Sequence, residues 1–289
     1  MEVMSPKTVK NSSQRLRAIV VTSGKGGVGK STTTANLGMA LGLQGHQVVL
    51  IDADIGLRNL DLLLQLENRI VYTAMDVFNG DCRLEQALVK HPRCRNLALL
   101  TLSKNRDKFN INSQGMQNLI KDLKDCNYEF IFIDCPAGVD VGFVNAIAAA
   151  EEALIVTTPE VTAVRDADRV AGLLEANGLK KVSLLINRIQ PDLIEQGKAL
   201  SAGDIQDMLG LPLIGIISED SEVSASVNLG QPVVLRKRSS LPGLCFENAA
   251  RRFTGKQDFL IDLETPYKGL FKRTIERVQD FFLGSENTN

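Results

Sequence analysis

Residues 18–32 read Ala18-Ile19-Val20-Val21-Thr22-Ser23-Gly24-Lys25-Gly26-Gly27-Val28-Gly29-Lys30-Ser31-Thr32, and this stretch decides the fold. An apolar run, Ala18–Thr22, leads into a glycine-rich turn, and a helix-period stretch, Ser31–Leu43, follows. The turn matches GxxxxGK[ST] from Gly24 to Ser31, with the strand before and helix after that the pattern requires. In such a loop successive backbone N–H groups converge on anionic phosphates, and the following helix adds its positive end. Glycine allows an approach that a Cβ would block. Lys30 is placed to reach the β- and γ-phosphates, and Ser31 offers a hydroxyl to Mg²⁺. Gly24, Lys25, Gly26, Gly27, Val28, Gly29, Lys30, Ser31 and Thr32 are thus the expected nucleotide contacts.

Outward from this stretch the pattern repeats. Val48–Ile51, Leu97–Thr101, Phe130–Ile133, Ala153–Thr157, Val182–Ile186 and Pro212–Ile217 are short apolar runs. Helix-period stretches lie between most of them, among them Ser113–Lys124, Val141–Ala150, Ala163–Asn177 and Ser201–Leu209. Continuous apolar strands alternating with helices predict an α/β fold, a mostly parallel twisted sheet with helices on both faces. The expected organisation is a polar N-terminal tail over 1–16, one nucleotide-binding domain over 17–256, a linker over 257–266 and a final helix over 267–284. The tail reads as flexible or as a short transit-like segment.

Composition excludes several classes. The 289 residues carry 33 Lys+Arg against 34 Asp+Glu, so the total charge does not suggest a nucleic-acid coat. No apolar run approaches the roughly 20 residues that span a bilayer. Five cysteines without a CxxC pair disfavour a disulfide framework and a zinc site, and a reducing compartment fits.

Two further runs end in carboxylates. Val48–Ile51 leads into Asp52-Ala53-Asp54, and Phe130–Ile133 leads into Asp134-Cys135-Pro136-Ala137-Gly138. Ligands of open α/β sheets sit beyond the carboxyl ends of strands, so Asp52, Asp54 and Asp134 converge where Mg²⁺ and nucleotide would lie. Each could instead cap the next helix.

Lys25 is not required by the general phosphate-loop pattern. A KGGxGK loop resembles the deviant Walker A ATPases, the MinD/ParA group of P-loop NTPases. The resemblance implies an ATP-hydrolysing fold that uses Mg²⁺. It implies that Lys25 reaches across a homodimer to the partner's nucleotide, so that hydrolysis waits for dimerisation. By the same resemblance Asp134 holds Mg²⁺ with Ser31, Asp52 is a neighbouring switch carboxylate counted with the metal, and Asp54 positions the attacking water. Lys25, Lys30, Asp54 and Asp134 are then the catalytic set. Asp54–Gly56 and Asp134–Asp140 correspond to the two switches. Asn187, at the end of Val182–Ile186, matches the family's adenine contact, although a turn residue would look the same. Ser218-Glu219-Asp220 departs from the Pro-Glu-Asp usual there.

Within the group, IGLRNLD (55–61), NGDCRL (79–84) and VRDADR (164–169) resemble the MinD branch, in its cyanobacterial and plastid versions. That branch implies placement of the division site, a MinE-like activator and a MinC-like inhibitor. It also implies residence in the cytoplasm or a plastid stroma, peripheral on the inner membrane. Residues 267–284 place Phe271, Ile275, Val278 and Phe282 on one helical face, with Lys268, Lys272, Arg273 and Arg277 opposite. Periodicity alone suits a terminal helix packed on its domain or one lying in an anionic membrane surface. The resemblance selects the membrane. The alternatives are a ParA-type DNA- or cargo-positioning ATPase, with Arg236-Lys237-Arg238 and Arg251-Arg252 as its basic candidates, and a scaffold that binds ATP with little turnover. Nucleic acid is not expected as the main partner.

Overall fold

A computed structural model describes residues 16–54, 59–103, 111–136, 141–236, 240–256 and 259–263. Val48–Asp52 (β2) and Phe130–Asp134 (β5) are buried at every position, as strands covered on both faces must be. They lie inside an eight-stranded sheet with Arg17–Thr22 (β1), Val89–His91 (β3), Cys94–Thr101 (β4), Glu152–Thr157 (β6), Lys181–Ile189 (β7) and Leu213–Ser218 (β8), in the order β3-β4-β2-β5-β1-β6-β7-β8. Every pairing is parallel except that of β3 with β4, which form an antiparallel edge.

The helices among the described residues are Lys30–Leu43 (α1), Leu60–Leu63 (α2), Ala74–Phe78 (α3), Leu84–Ala87 (α4), Ser113–Asp125 (α5), Val141–Ile147 (α6), Val161–Ala176 (α7), Pro191–Glu195 (α8), Ala202–Leu209 (α9), Ser221–Asn228 (α10) and Leu241–Phe253 (α11). The step from β1 to β2 runs one way along the sheet, whereas those from β5 to β6 and β6 to β7 run the other. With right-handed crossovers, α1 and α11, which pack together, cover one face, and α5, α6, α7 and α9 cover the other. The direction reverses at β1, beside β5, and the crevice opens there.

The strands and helices expected within the described residues are present, with ends moved by a few residues. The edge strand β3 and the helices α10 and α11 were not anticipated. Ser240 caps α11 by accepting from the Gly243 amide at 3.3 Å, and Pro242 sits in its first turn. Residues 259–263 of the expected linker are among those described. Asn248 Nδ2 donates to the Phe259 carbonyl at 2.9 Å, and Ile261 and Leu263 are 5% and 2% exposed, so 259–263 form a strap fastened to the domain. Residues 1–15 and 264–289 lie outside the described residues, and so do 55–58 and 137–140, which overlap the two switches.

Candidate functional site

Adjacent strands bring the phosphate loop and two carboxylates together. In the β2–β5 register Asp52 stands opposite Asp134, and Asp134 is paired with Val21 of β1, three residues before Gly24 of the loop. Neighbouring parallel strands lie about 4.8 Å apart, so the two carboxylates are neighbours. Gly27 and Gly29 turn the loop with φ of +79° and +93°, which favour glycine. Gly29 begins α1 with no side-chain cap, leaving the first amides of the helix to face a ligand. Asn187 Nδ2 donates to the Val28 carbonyl at 2.8 Å, and a Cβ on Gly29 would lie 2.4 Å from that nitrogen. Glycine is therefore needed at 29 for packing as well as for backbone conformation.

Gly24 has a different reason. A Cβ there would lie 2.3 Å from the carbonyl oxygen of Asp166 in α7. The loop thus starts in backbone contact with a helix of the opposite face.

Asp134 is buried, and Thr34 Oγ1 donates to its Oδ1 at 3.4 Å. Burial pushes its carboxyl above the usual range, with Asp54 adding to the push, while Lys30 and the Ser31 hydroxyl oppose it. Lys30, Ser31, Asp54 and Asp134 are therefore one electrostatic group. Asp52 accepts from the amides of Asp54 at 3.2 Å and Leu60 at 3.3 Å, one at the start of the first switch and one at the start of α2. Burial, and then Asp134, pushes the Asp52 carboxyl up as well. Two adjacent buried carboxylates resist double ionisation, and a cation removes the conflict.

A cleft of about 460 Å³ lies over this group, lined by Gly26–Thr32, Asp54, Asn59, Leu62 and Arg188. A cavity of about 280 Å³ shares Gly29, Thr32 and Arg188 with it and is completed by Asn187, Ser218, Glu219 and Asp220. The Ser218 hydroxyl oxygen is buried there without a hydrogen-bond partner. The pair suits a nucleotide, with phosphates on the loop amides and the base against Asn187 and Ser218. Ser31 and Asp134 could supply the hard oxygens that Mg²⁺ takes alongside phosphate.

Two expected site residues stand differently. Lys25 points outward, its Nζ 2.7 Å from Glu160 Oε2 at the start of α7. Asn187 lines the base-side cavity, but its amide nitrogen is engaged by the loop. Arg188 was not assigned a role, although it lines both cavities. Its φ of +61° is strained for a side chain with a Cβ, and its Nε lies 3.6 Å from Glu219. An arginine after an asparagine carries no sequence signal of that conformation. The basic residues weighed for nucleic acid have local partners. Arg252 donates to the carbonyls of Leu213 and Ile214, both at 2.9 Å, and Arg236 pairs with Glu222, while Lys237 and Arg238 lie outside the described residues.

Residues 19–233 match the CobQ/CobB/MinD/ParA nucleotide binding domain family. The putative septum site-determining protein MinD of Chlorella vulgaris is 60% identical over 276 residues, 96% of this chain and 96% of that protein. The chain belongs to the MinD branch of this family. Among solved MinD structures, the MinC:MinD cell division protein complex of Aquifex aeolicus superposes with a TM-score of 0.79 at 43% identity, covering 85% of this chain and 98% of that one. The septum site-determining protein MinD of Pyrococcus horikoshii OT3, complexed with Mg-ADP, gives 0.74 at 32% identity, covering 83% and 96%. Like other MinD-family chains, this one is a P-loop ATPase.

Proposed function

We propose that this chain dimerises around ATP, associates with an anionic membrane through 267–284 and helps to position the division site. Hydrolysis to ADP and phosphate then releases it. The observation that carries the reading is the 60% identity to a septum site-determining MinD along nearly the whole chain.

In-line attack of water on the terminal phosphorus breaks the bond to the bridging oxygen and leaves ADP and inorganic phosphate. The amides of Gly26–Ser31 and the Lys30 ammonium hold the phosphates and stabilise the charge that develops on them. Asp54, on the cleft wall, accepts a hydrogen bond from the attacking water and fixes its direction. Ser31 and Asp134 would hold Mg²⁺, with Asp52 beside them on the neighbouring strand. Bound there, the ion would neutralise charge on the phosphate oxygens. Lys25 is held outside its own cleft by Glu160 and is free to exchange that partner for the phosphates of a second subunit. Asn187 and Ser218 take the base.

Supported by the Aquifex complex, a MinC-like protein is the expected partner, with a MinE-like activator of turnover. No helix among the described residues is long and apolar enough to cross a membrane. In this reading 267–284 makes the peripheral attachment. The place is a cytoplasm or a plastid stroma. The direct test is sedimentation of the full chain with anionic vesicles. It should pellet with ATP and stay in solution with ADP, and Phe271→Asp with Phe282→Asp should abolish the pelleting. Vesicle binding unchanged by that pair would overturn the membrane assignment.

A further inference from the structure

The strap 259–263 delivers the chain to a defined place. It is fastened to α11 by the bond from Asn248 to the Phe259 carbonyl and by burial of Ile261 and Leu263. Leu263 lines a groove of about 690 Å³ at the carboxyl ends of β7 and β8, with Ile189, Pro191, Leu193 and Leu241 as further apolar wall. The rim is acidic: Asp192, Glu219 and Asp220 stand along it. Glu219 is already shared with Arg188, and Asp220 accepts from the Glu222 amide at 2.8 Å, yet a carboxylate can accept several bonds.

Three residues, 264–266, separate Leu263 from the amphipathic segment, and three extended residues span at most about 10 Å. The segment begins with Leu270 and Phe271 among Lys268, Lys272 and Arg273. Apolar wall and acidic rim therefore lie within reach of an apolar face bordered by cations. We propose that, in the membrane-free protein, residues 267–284 of the same chain dock in this groove. Leu270 and Phe271 cover Leu193 and Leu241, and the basic side chains face Asp192, Glu219 and Asp220. Membrane and groove then compete for one apolar face. The proposal rests on the amphipathic reading of 267–284.

Hydrogen–deuterium exchange on the full chain without lipid tests it, at two protein concentrations, for wild type, Leu193→Glu and Asp192→Lys. Residues 191–196 and 267–284 should exchange about tenfold more slowly in wild type than in either variant, equally at both concentrations. Either variant should also bind phosphatidylglycerol vesicles more tightly, because its tail is already released. Asp192→Lys alters only an exposed charge, so the test survives a loss of α8 in Leu193→Glu. A wild-type tail that exchanges at the unprotected rate would overturn the proposal. So would protection that neither variant weakens. Protection that rises with protein concentration would assign the groove to a second copy and overturn it too. Failure of the membrane reading looks different: slow exchange in 267–284 with vesicle binding indifferent to Phe271→Asp and Phe282→Asp.

Discussion

Asp52 and Asp134 sit side by side because their strands do, and burial leaves them little water with which to share charge. Asp54 is two residues further on, at the cleft, and the division of labour follows from that offset. Asp54→Ala should still bind ATP, since the loop amides and Lys30 remain, while turnover falls by roughly 10²–10⁴. Phosphate release beside ATP affinity measures both, and rapid turnover would remove Asp54 from the reaction. Asn187→Ala should lose the bond to the Val28 carbonyl, at a cost of about 1 kcal/mol, together with a base contact. Calorimetric titration with ADP should then show several-fold weaker binding. The three carboxylates were legible in the sequence because each follows an apolar strand. The outward pairing of Lys25 with Glu160 was not, since 135 residues separate the partners and nothing local joins them.

At the scale of elements, the loop is held by three supports: α1 behind it, the end of β7 beneath it through Asn187, and α7 beside it. Gly24 is the contact with α7, so Gly24→Ala should push the loop and Asp166 apart. The expected cost is about 1–3 kcal/mol in thermal or urea unfolding of the nucleotide-free protein. An effect confined to nucleotide affinity would show that the glycine serves phosphate alone. Helices and central strands were legible wherever periodicity was strong. The edge strand β3 was not, because Val89-Lys90-His91 is short and alternates in polarity against a single neighbour. The helix α11 hides a glycine, a proline and two arginines in thirteen residues, and its capping by Ser240 is clear only once its start is known.

For the molecule as a whole, acid is the informative perturbation. His91 is 4% exposed, its Nδ1 accepts from the Arg93 amide at 3.2 Å, and its ring is held near the Leu64 carbonyl. Burial, followed by Arg93 and Arg69, lowers its pKa from 6.5 to about 4. Between those values the unfolded chain binds a proton that the folded one refuses, so stability falls as pH falls through that window. The loss from this group should approach about 2–3 kcal/mol by pH 4. His91→Gln should flatten that part of the stability–pH curve, read by urea midpoints between pH 7 and pH 4. An unchanged slope would move the source of acid sensitivity elsewhere.

The strap also decides where the chain can be cut. Ile261 and Leu263 are as buried as much of the central core, so the folded unit extends beyond the end of α11. A stop after residue 263 should leave a soluble, fully folded ATPase without its tail. A stop after 256 would strip a covering layer from α11 and bare the apolar surface beneath it, inviting aggregation. Insolubility of the shorter fragment would then report a lost lid on the core, and would say nothing about the membrane.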